Sequence, residues 1–182
     1  EPLHNLDNVI QACRIFTDGD GFKFSKRRVT VSTSGLVPAI ERLGQETDVC
    51  LAVSLNATTD EQRKQIMPVN RKWDIQTLLK ACREYPSHNH KRITFEYVLL
   101  DGFNDSMDDA KRLTRLLASL PCKINLIPFN EHMGSGFKRP PDERVLAFQR
   151  HLLDRGFTAT VRISRGRDIS AACGQLRSLD GT

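Results

Sequence analysis

The chain has 182 residues, 39% of them hydrophobic and 27% charged, with a formal net charge of +5. Those values exclude a disordered or collagen-like chain and fit one soluble globular domain. No stretch reaches the roughly 18 apolar residues of a membrane span, and "EPLHNLDNV" lacks the basic region and apolar run of a secretory signal. The expected setting is the cytoplasm, without a membrane partner, and the pI near 9.1 leans towards an anionic partner such as nucleic acid.

In chain order, "NVIQACRIF" spaces Val9, Ile10, Cys13 and Phe16 at helical intervals, and "TDGDGFKFSKRR" then interrupts the pattern. "VTVSTS" is short and β-branched, a buried strand that delivers Ser32, Thr33 and Ser34 at its C-terminal end. "GLVPAIERLGQ" has helical spacing at Val37, Ile40 and Leu43, with Gly44 as the expected stop. "VCLAVSLNA" is a second strand, ending in Ser54 and Asn56. A short helix over "DEQRKQIM" and a stronger one over "DIQTLLKACREY" follow, the latter capped by Asp74.

The third strand is "RITFEYVLL", followed by the turn "DGFND". "SMDDAKRLTRLLASL" opens with Ser106 three residues before Asp109, a variant capping box, and sets Leu113, Leu116, Leu117 and Leu120 on one face. "CKINLIPF" is a fourth strand ending in Asn130, and the loop "NEHMGSGFKRPP" leads to a helix over "DERVLAFQRHLLDRG", capped by Asp142 and stopped by Gly156. A last strand, "TATVRIS", runs into "DISAACGQL". Strands that read as apolar throughout, alternating with helices, predict an α/β fold: a parallel sheet covered by helices and closed or partly closed as a (βα) barrel. The C-terminal ends of such strands form the active face, where Ser32, Ser54, Asn56, Asn130 and Cys173 are expected.

Hydroxyl and amide side chains at that rim suit a nucleoside-like ligand, or else make turns and caps. His132, Lys138 and Arg139 form a basic loop able to grip a phosphate backbone or to sit in solvent, and His88 and His90 read as a surface turn. The five cysteines, Cys13, Cys50, Cys82, Cys122 and Cys173, stand singly, which fits a reducing compartment and predicts no complete metal site in this chain. Four of them read as small buried hydrophobes. Cys173 lies among small residues beyond the last strand, downstream of Arg162, Arg165 and Arg167, where it is either core filler or a thiol activated by neighbouring cations. A chain opening on Glu1-Pro2 reads as a piece of something longer.

"VTVSTSGLVPAIERL", "LAVSLNATTDEQRKQIMPVN", "ITFEYVLLDGFND", "CKINLIPFN" and "GFTATVRISRGRDISAACGQL" fall in an order and spacing that closely resembles the RlmN/Cfr family of radical S-adenosylmethionine (SAM) enzymes. The RlmN branch, acting on adenine C2 in 23S ribosomal RNA and on transfer RNA, is the nearer of the two. The resemblance implies that residues 1–182 are the C-terminal part of a radical SAM barrel. Glu1 matches the end of the GMGEP segment, which contacts the SAM amino group. Ser32 matches a SAM-contacting serine, and Ser54, Leu55 and Asn56 match the SLH tripeptide, with Asn56 in place of the usual His. Asn130 matches another SAM contact, and Cys173 matches the cysteine that carries the methyl group.

In the family, one SAM methylates that thiolate, and a second, cleaved at a 4Fe–4S cluster, yields a radical that takes hydrogen from the S-methyl group. The resulting carbon radical adds to the ring carbon, which is too electron-poor for ordinary SAM methylation. The cluster motif CxxxCxxC and the resolving cysteine precede GMGEP in the family, so the resemblance places them outside this chain and implies that the chain alone is inactive. An electron donor is a further implied partner. The alternatives are an aldolase-like lyase on a parallel barrel, which needs a strand-end lysine or carboxylate pair, and a non-catalytic RNA-binding module.

Overall fold

A computed structural model describes residues 1–86, 93–132 and 135–162. Its elements are α1 (Leu6–Thr17), β1 (Thr30–Thr33), α2 (Val37–Glu46), β2 (Cys50–Ser54), α3 (Asp60–Ile66), α4 (Ile75–Glu84), β3 (Ile93–Leu99), α5 (Met107–Leu117), β4 (Cys122–Pro128), α6 (Asp142–Asp154) and β5 (Thr158–Val161). Short 3-10 turns span Pro2–Asn5, Lys26–Arg28 and Pro68–Arg71. All neighbouring strands pair in parallel, in the order β1-β2-β3-β4-β5.

Strand order follows chain order without the reversal of a doubly wound sheet. Because parallel crossovers are right-handed as a rule, winding in one direction sets the helices on one face. The architecture is therefore the expected α/β section of a (βα) barrel, with an open sheet among the described residues. On the helix side, Leu51, Val53, Phe95, Tyr97, Ile124 and Leu126 pack against Leu43, Leu78, Leu113, Leu117 and Phe148, all buried. Each such side chain contributes about 1.5–3 kcal/mol by leaving water.

Expected helix signals hold at several ends. The Asp74 carboxylate accepts from the Thr77 backbone N–H at 2.7 Å, and Ser106 and Asp109 form the reciprocal capping box of α5. Gly156, at φ 81°, follows the end of α6 as its stop. No helix among the described residues is long and apolar enough to cross a membrane.

Three expectations are corrected. The strands are not apolar throughout: burial alternates along β3 and β4, and Thr94, Glu96, Lys123 and Asn125 lie on the face turned away from the buried residues. A half-barrel has an inner face as well as a helix-covered one, so its strands keep a period of two. Asp142 is the first residue of α6 rather than its cap, and it pairs with Arg139 at 2.8 Å. Gly44 does not stop α2, which runs through it to Glu46.

Gly44 instead lets α2 approach the end of α4. A Cβ there would lie 2.7 Å from Pro86 Cδ and 3.0 Å from the Tyr85 ring. Gly44→Ala is expected to lower stability by about 1 kcal/mol in urea denaturation, because overpacking outweighs the gain in helix propensity. A stabilised variant would contradict this packing role.

Candidate functional site

The C-terminal ends of β1 and β2 are tied together by one side chain. Arg63 faces inward from α3, whose N-terminus is capped by the Thr59 hydroxyl, and its side chain is fully buried. Its Nε donates to the Leu55 carbonyl at 3.0 Å, and one terminal nitrogen donates to the carbonyls of Ser34 at 2.6 Å and Ser54 at 3.0 Å. The other donates to Asn70 Oδ1 at 3.0 Å, and Asn70 in turn donates to Asp60 at 2.7 Å. Burial pulls the guanidinium down to about 10, with the Asp60 carboxylate acting in the opposite direction, so it stays charged near neutral pH. Gly35 makes room for it: φ is 112°, and a Cβ would meet Leu78 at 3.2 Å and the guanidinium at 3.3 Å.

Glu1 closes the same edge. Its carboxylate accepts from the Ser34 backbone N–H and hydroxyl, both at 2.6 Å, from Thr33 Oγ1 at 3.1 Å and from the Leu3 N–H at 3.0 Å. Partial burial alone would raise its pKa, but the bonds from Ser34, Leu3 and Thr33 outweigh burial and hold it below the usual glutamate value. Ser32 is exposed on the inner face of β1, and Ser54, the last residue of β2, is half-buried. The Leu55 side chain is buried in the core, its N–H donates to the Glu96 carbonyl at 2.9 Å, and its carbonyl takes the Arg63 bond.

Asn56 has φ of 58°, the left-handed region that Asn and His enter more readily than most side chains. Its Oδ1 accepts from the Val98 N–H at 2.9 Å, and its Nδ2 lies 3.3 Å from Met67 Sδ. Its carbonyl accepts from Asn104 Nδ2, which also donates to the Val98 carbonyl, both at 2.7 Å. Asn104 Oδ1 takes the Leu100 N–H at 2.7 Å, and Tyr97 donates to the Asn104 carbonyl at 2.8 Å. The turn after β3 is thereby locked to the end of β2. Arg144 holds the far side of that turn through Asp101 at 2.7 Å and Asp105 at 2.8 Å.

Asn130 lies two residues beyond β4 and is half-buried. The His132 and Phe129 rings meet beside it at a tilt of 53°, centroids 5.8 Å apart, and the Lys138 carbonyl accepts from Asp101 N–H at 2.9 Å. Cys13, Cys82 and Cys122 are buried, as expected of small hydrophobes, and burial pushes the Cys82 thiol up to about 12. Cys50 departs from that expectation: at the start of β2 it is only half-buried. Cys173, His88, His90, Arg165 and Arg167 lie outside the described residues. Glu1, Ser54 and Asn56 thus lie at the C-terminal ends of β1 and β2, Asn130 follows β4, and Ser32 stands on the inner face within β1, so hydroxyl, amide and carboxylate groups lie towards one end of the sheet. Among the described residues, no group of three His, Cys, Asp or Glu side chains could hold a metal ion.

Sequence reading missed Arg63 and Asn104: both lie in the quoted segments "LAVSLNATTDEQRKQIMPVN" and "ITFEYVLLDGFND", but nothing local marks either side chain as a structural tie. The one available signal for Arg63 was its helical spacing towards the core between Thr59 and Met67. Arg63→Leu is expected to lower stability by about 3 kcal/mol or more, since it strands three carbonyls and the Asn70 amide oxygen. Arg63→Lys should recover only part, because an ammonium cannot reach all four acceptors. A denaturation midpoint unchanged in Arg63→Leu would contradict the role.

No family model matches the chain. A protein of Geobacter sulfurreducens named dual-specificity RNA methyltransferase RlmN is 60% identical over 177 residues, which are 97% of this chain and 49% of that protein. The protein of that name from Pelobacter propionicus is 58% identical over 178 residues, covering 97% and 51%. The crystal structure of a radical SAM methyltransferase from Sphaerobacter thermophilus superposes with a TM-score of 0.89 at 50% identity, over 96% of this chain and 52% of that one. A domain of pyruvate-formate lyase-activating enzyme from Bacteroides vulgatus shares the fold, with a TM-score of 0.68 at 18% identity over 90% and 94%. Fold and sequence together thus resemble one segment of a radical SAM methyltransferase. The chain is thus similar to RlmN proteins over nearly all of its own length, and it spans about half the length of the curated relatives it matches.

Proposed function

We propose that residues 1–182 are the C-terminal part of the catalytic core of an RNA methyltransferase acting on C2 of adenine in 23S ribosomal RNA, with transfer RNA as a second substrate. The supporting observation is a coincidence of two kinds: the positions that resemble family SAM contacts lie towards one end of the sheet, in a chain 60% identical to a protein named RlmN. When bound, SAM supplies the methyl group and, with a reduced 4Fe–4S cluster, the radical chemistry. Glu1, oriented by Ser34 and Thr33, receives the SAM ammonium. Ser32, Ser54 and Asn130 hydrogen-bond the polar groups of the nucleoside and amino acid. Leu55 contributes backbone shape, and Asn56 keeps the end of β2 in its left-handed turn.

Cys173 is the methyl carrier in this reading. Its thiol would first lose a proton to solvent, and the thiolate would then take the methyl as the carbon–sulfonium bond breaks and S-adenosylhomocysteine leaves. The cluster ligands and the resolving cysteine come from sequence upstream of this segment, and an electron donor reduces the cluster. The chain alone is therefore inactive, and the whole enzyme works in the cytoplasm.

The test uses the full-length polypeptide that carries this segment, expressed with iron and SAM supply. Peptide mass spectrometry is expected to find a single methyl on Cys173, and the enzyme should convert adenine to 2-methyladenine in 23S ribosomal RNA. An active enzyme with Cys173 unmodified, or a product methylated at another ring atom, would overturn the proposal.

A further inference from the structure

Ser54, Glu96, Asn125 and Thr160 form a row across β2, β3, β4 and β5, each the in-register partner of the next. Side chains alternate along a strand, and the neighbours Val53, Phe95, Tyr97, Ile124, Leu126 and Ala159 are buried on the helix side. The row therefore lies on the inner face. Its one internal contact is a long bond of 3.4 Å from Thr160 Oγ1 to Asn125 Oδ1.

Glu96 is the charged member, at the middle of the central strand. It is half-buried, and among the described residues its carboxylate has no hydrogen bond or ion pair, although its backbone carbonyl accepts from Leu55. Lys123, on the same face, is opposite Thr94 rather than Glu96, is exposed, and makes no ion pair with it. Removing a carboxylate from water is unfavourable unless a counter-charge or donors meet it. Glu1 sits at the same end of the sheet, bound to Ser34, which follows the register partner of Val53. With strands about 4.8 Å apart, Glu1 and Glu96 flank the Ser54 position from either side. The inner face thus offers two carboxylates, and SAM carries two cationic centres, an ammonium and a sulfonium.

We propose that Glu96 is a further ligand-contacting residue, facing the sulfonium of bound SAM from the centre of the sheet while Glu1 holds the ammonium. This rests on the SAM reading above. Glu96→Gln keeps the shape and polarity of the side chain and removes only its charge. Its test is equilibrium dialysis of the full-length protein and the variant with radiolabelled SAM and with S-adenosylhomocysteine, which lacks the methyl group and the charge on sulfur.

The variant is expected to bind SAM about tenfold more weakly while its affinity for S-adenosylhomocysteine changes by less than about threefold. Equal losses for both ligands would place Glu96 against the uncharged nucleoside and overturn the assignment. Unchanged affinity for both would overturn it too, and a lowered melting temperature alongside would show that Glu96 pairs with a cation of the protein. If the parent protein binds neither ligand, the SAM reading itself fails, an outcome separable from the first three.

Discussion

The Arg63 guanidinium is the interaction on which the rest of this edge depends. Strand ends carry carbonyls with no partner in the next turn of the chain, and here three of them, from Ser34, Ser54 and Leu55, converge on one fully buried cation. Planar donors in a fixed fork suit that task better than a flexible ammonium. Asp60 faces Asn70 and the Ile75 N–H rather than the guanidinium directly, so the charge is met mainly by carbonyl dipoles. A cation held by dipoles keeps two strands in register while their outward groups, the Ser34 hydroxyl and the Ser54 side chain, stay available to other partners. The Ser34 hydroxyl already meets Glu1.

A second consequence concerns the sheet. One face is closed by leucine, isoleucine and phenylalanine under the helices, and the other carries Thr30, Ser32, Ser54, Glu96 and Asn125 together with Ala52, Val98 and Ile127. An apolar inner face would bury itself by collapse or association. A row of polar side chains across the inner face, from Ser54 to Asn125, weakens that tendency. The locks at its rim, Asn104 under the turn after β3 and Arg144 across it, fix the loops at that end before any ligand arrives. Preorganisation of this kind lowers the ordering cost of binding.

Much of this was legible in the sequence. Short β-branched runs, the caps at Asp74 and Ser106 and the stop at Gly156 act locally, so periodicity and turn chemistry locate the elements and the parallel α/β class. The inner face was not legible, because Phe95, Tyr97, Ile124 and Leu126 mask the intervening Glu96 and Asn125 in an apolar count. Gly44 reads as a stop because nothing nearby in sequence reveals Tyr85 and Pro86 pressing on α2. Arg63 draws no notice because arginine is rarely fully buried. For the candidate site, resemblance to the RlmN/Cfr family supplied the residues, and the structure supplied their geometry: Glu1 against Ser34, and Asn56 turned into a backbone bond with Val98. Cys173 rests on sequence alone.

The central claim is that these strand ends, held by Arg63, seat SAM. A crystal structure of the full-length protein with SAM bound tests it most directly. The ligand is predicted to lie at the C-terminal ends of β1, β2 and β4, its ammonium within hydrogen-bond distance of Glu1 and its nucleoside against Ser54. A ligand seated at the opposite end of the strands, or on the helix side of the sheet, would contradict the account.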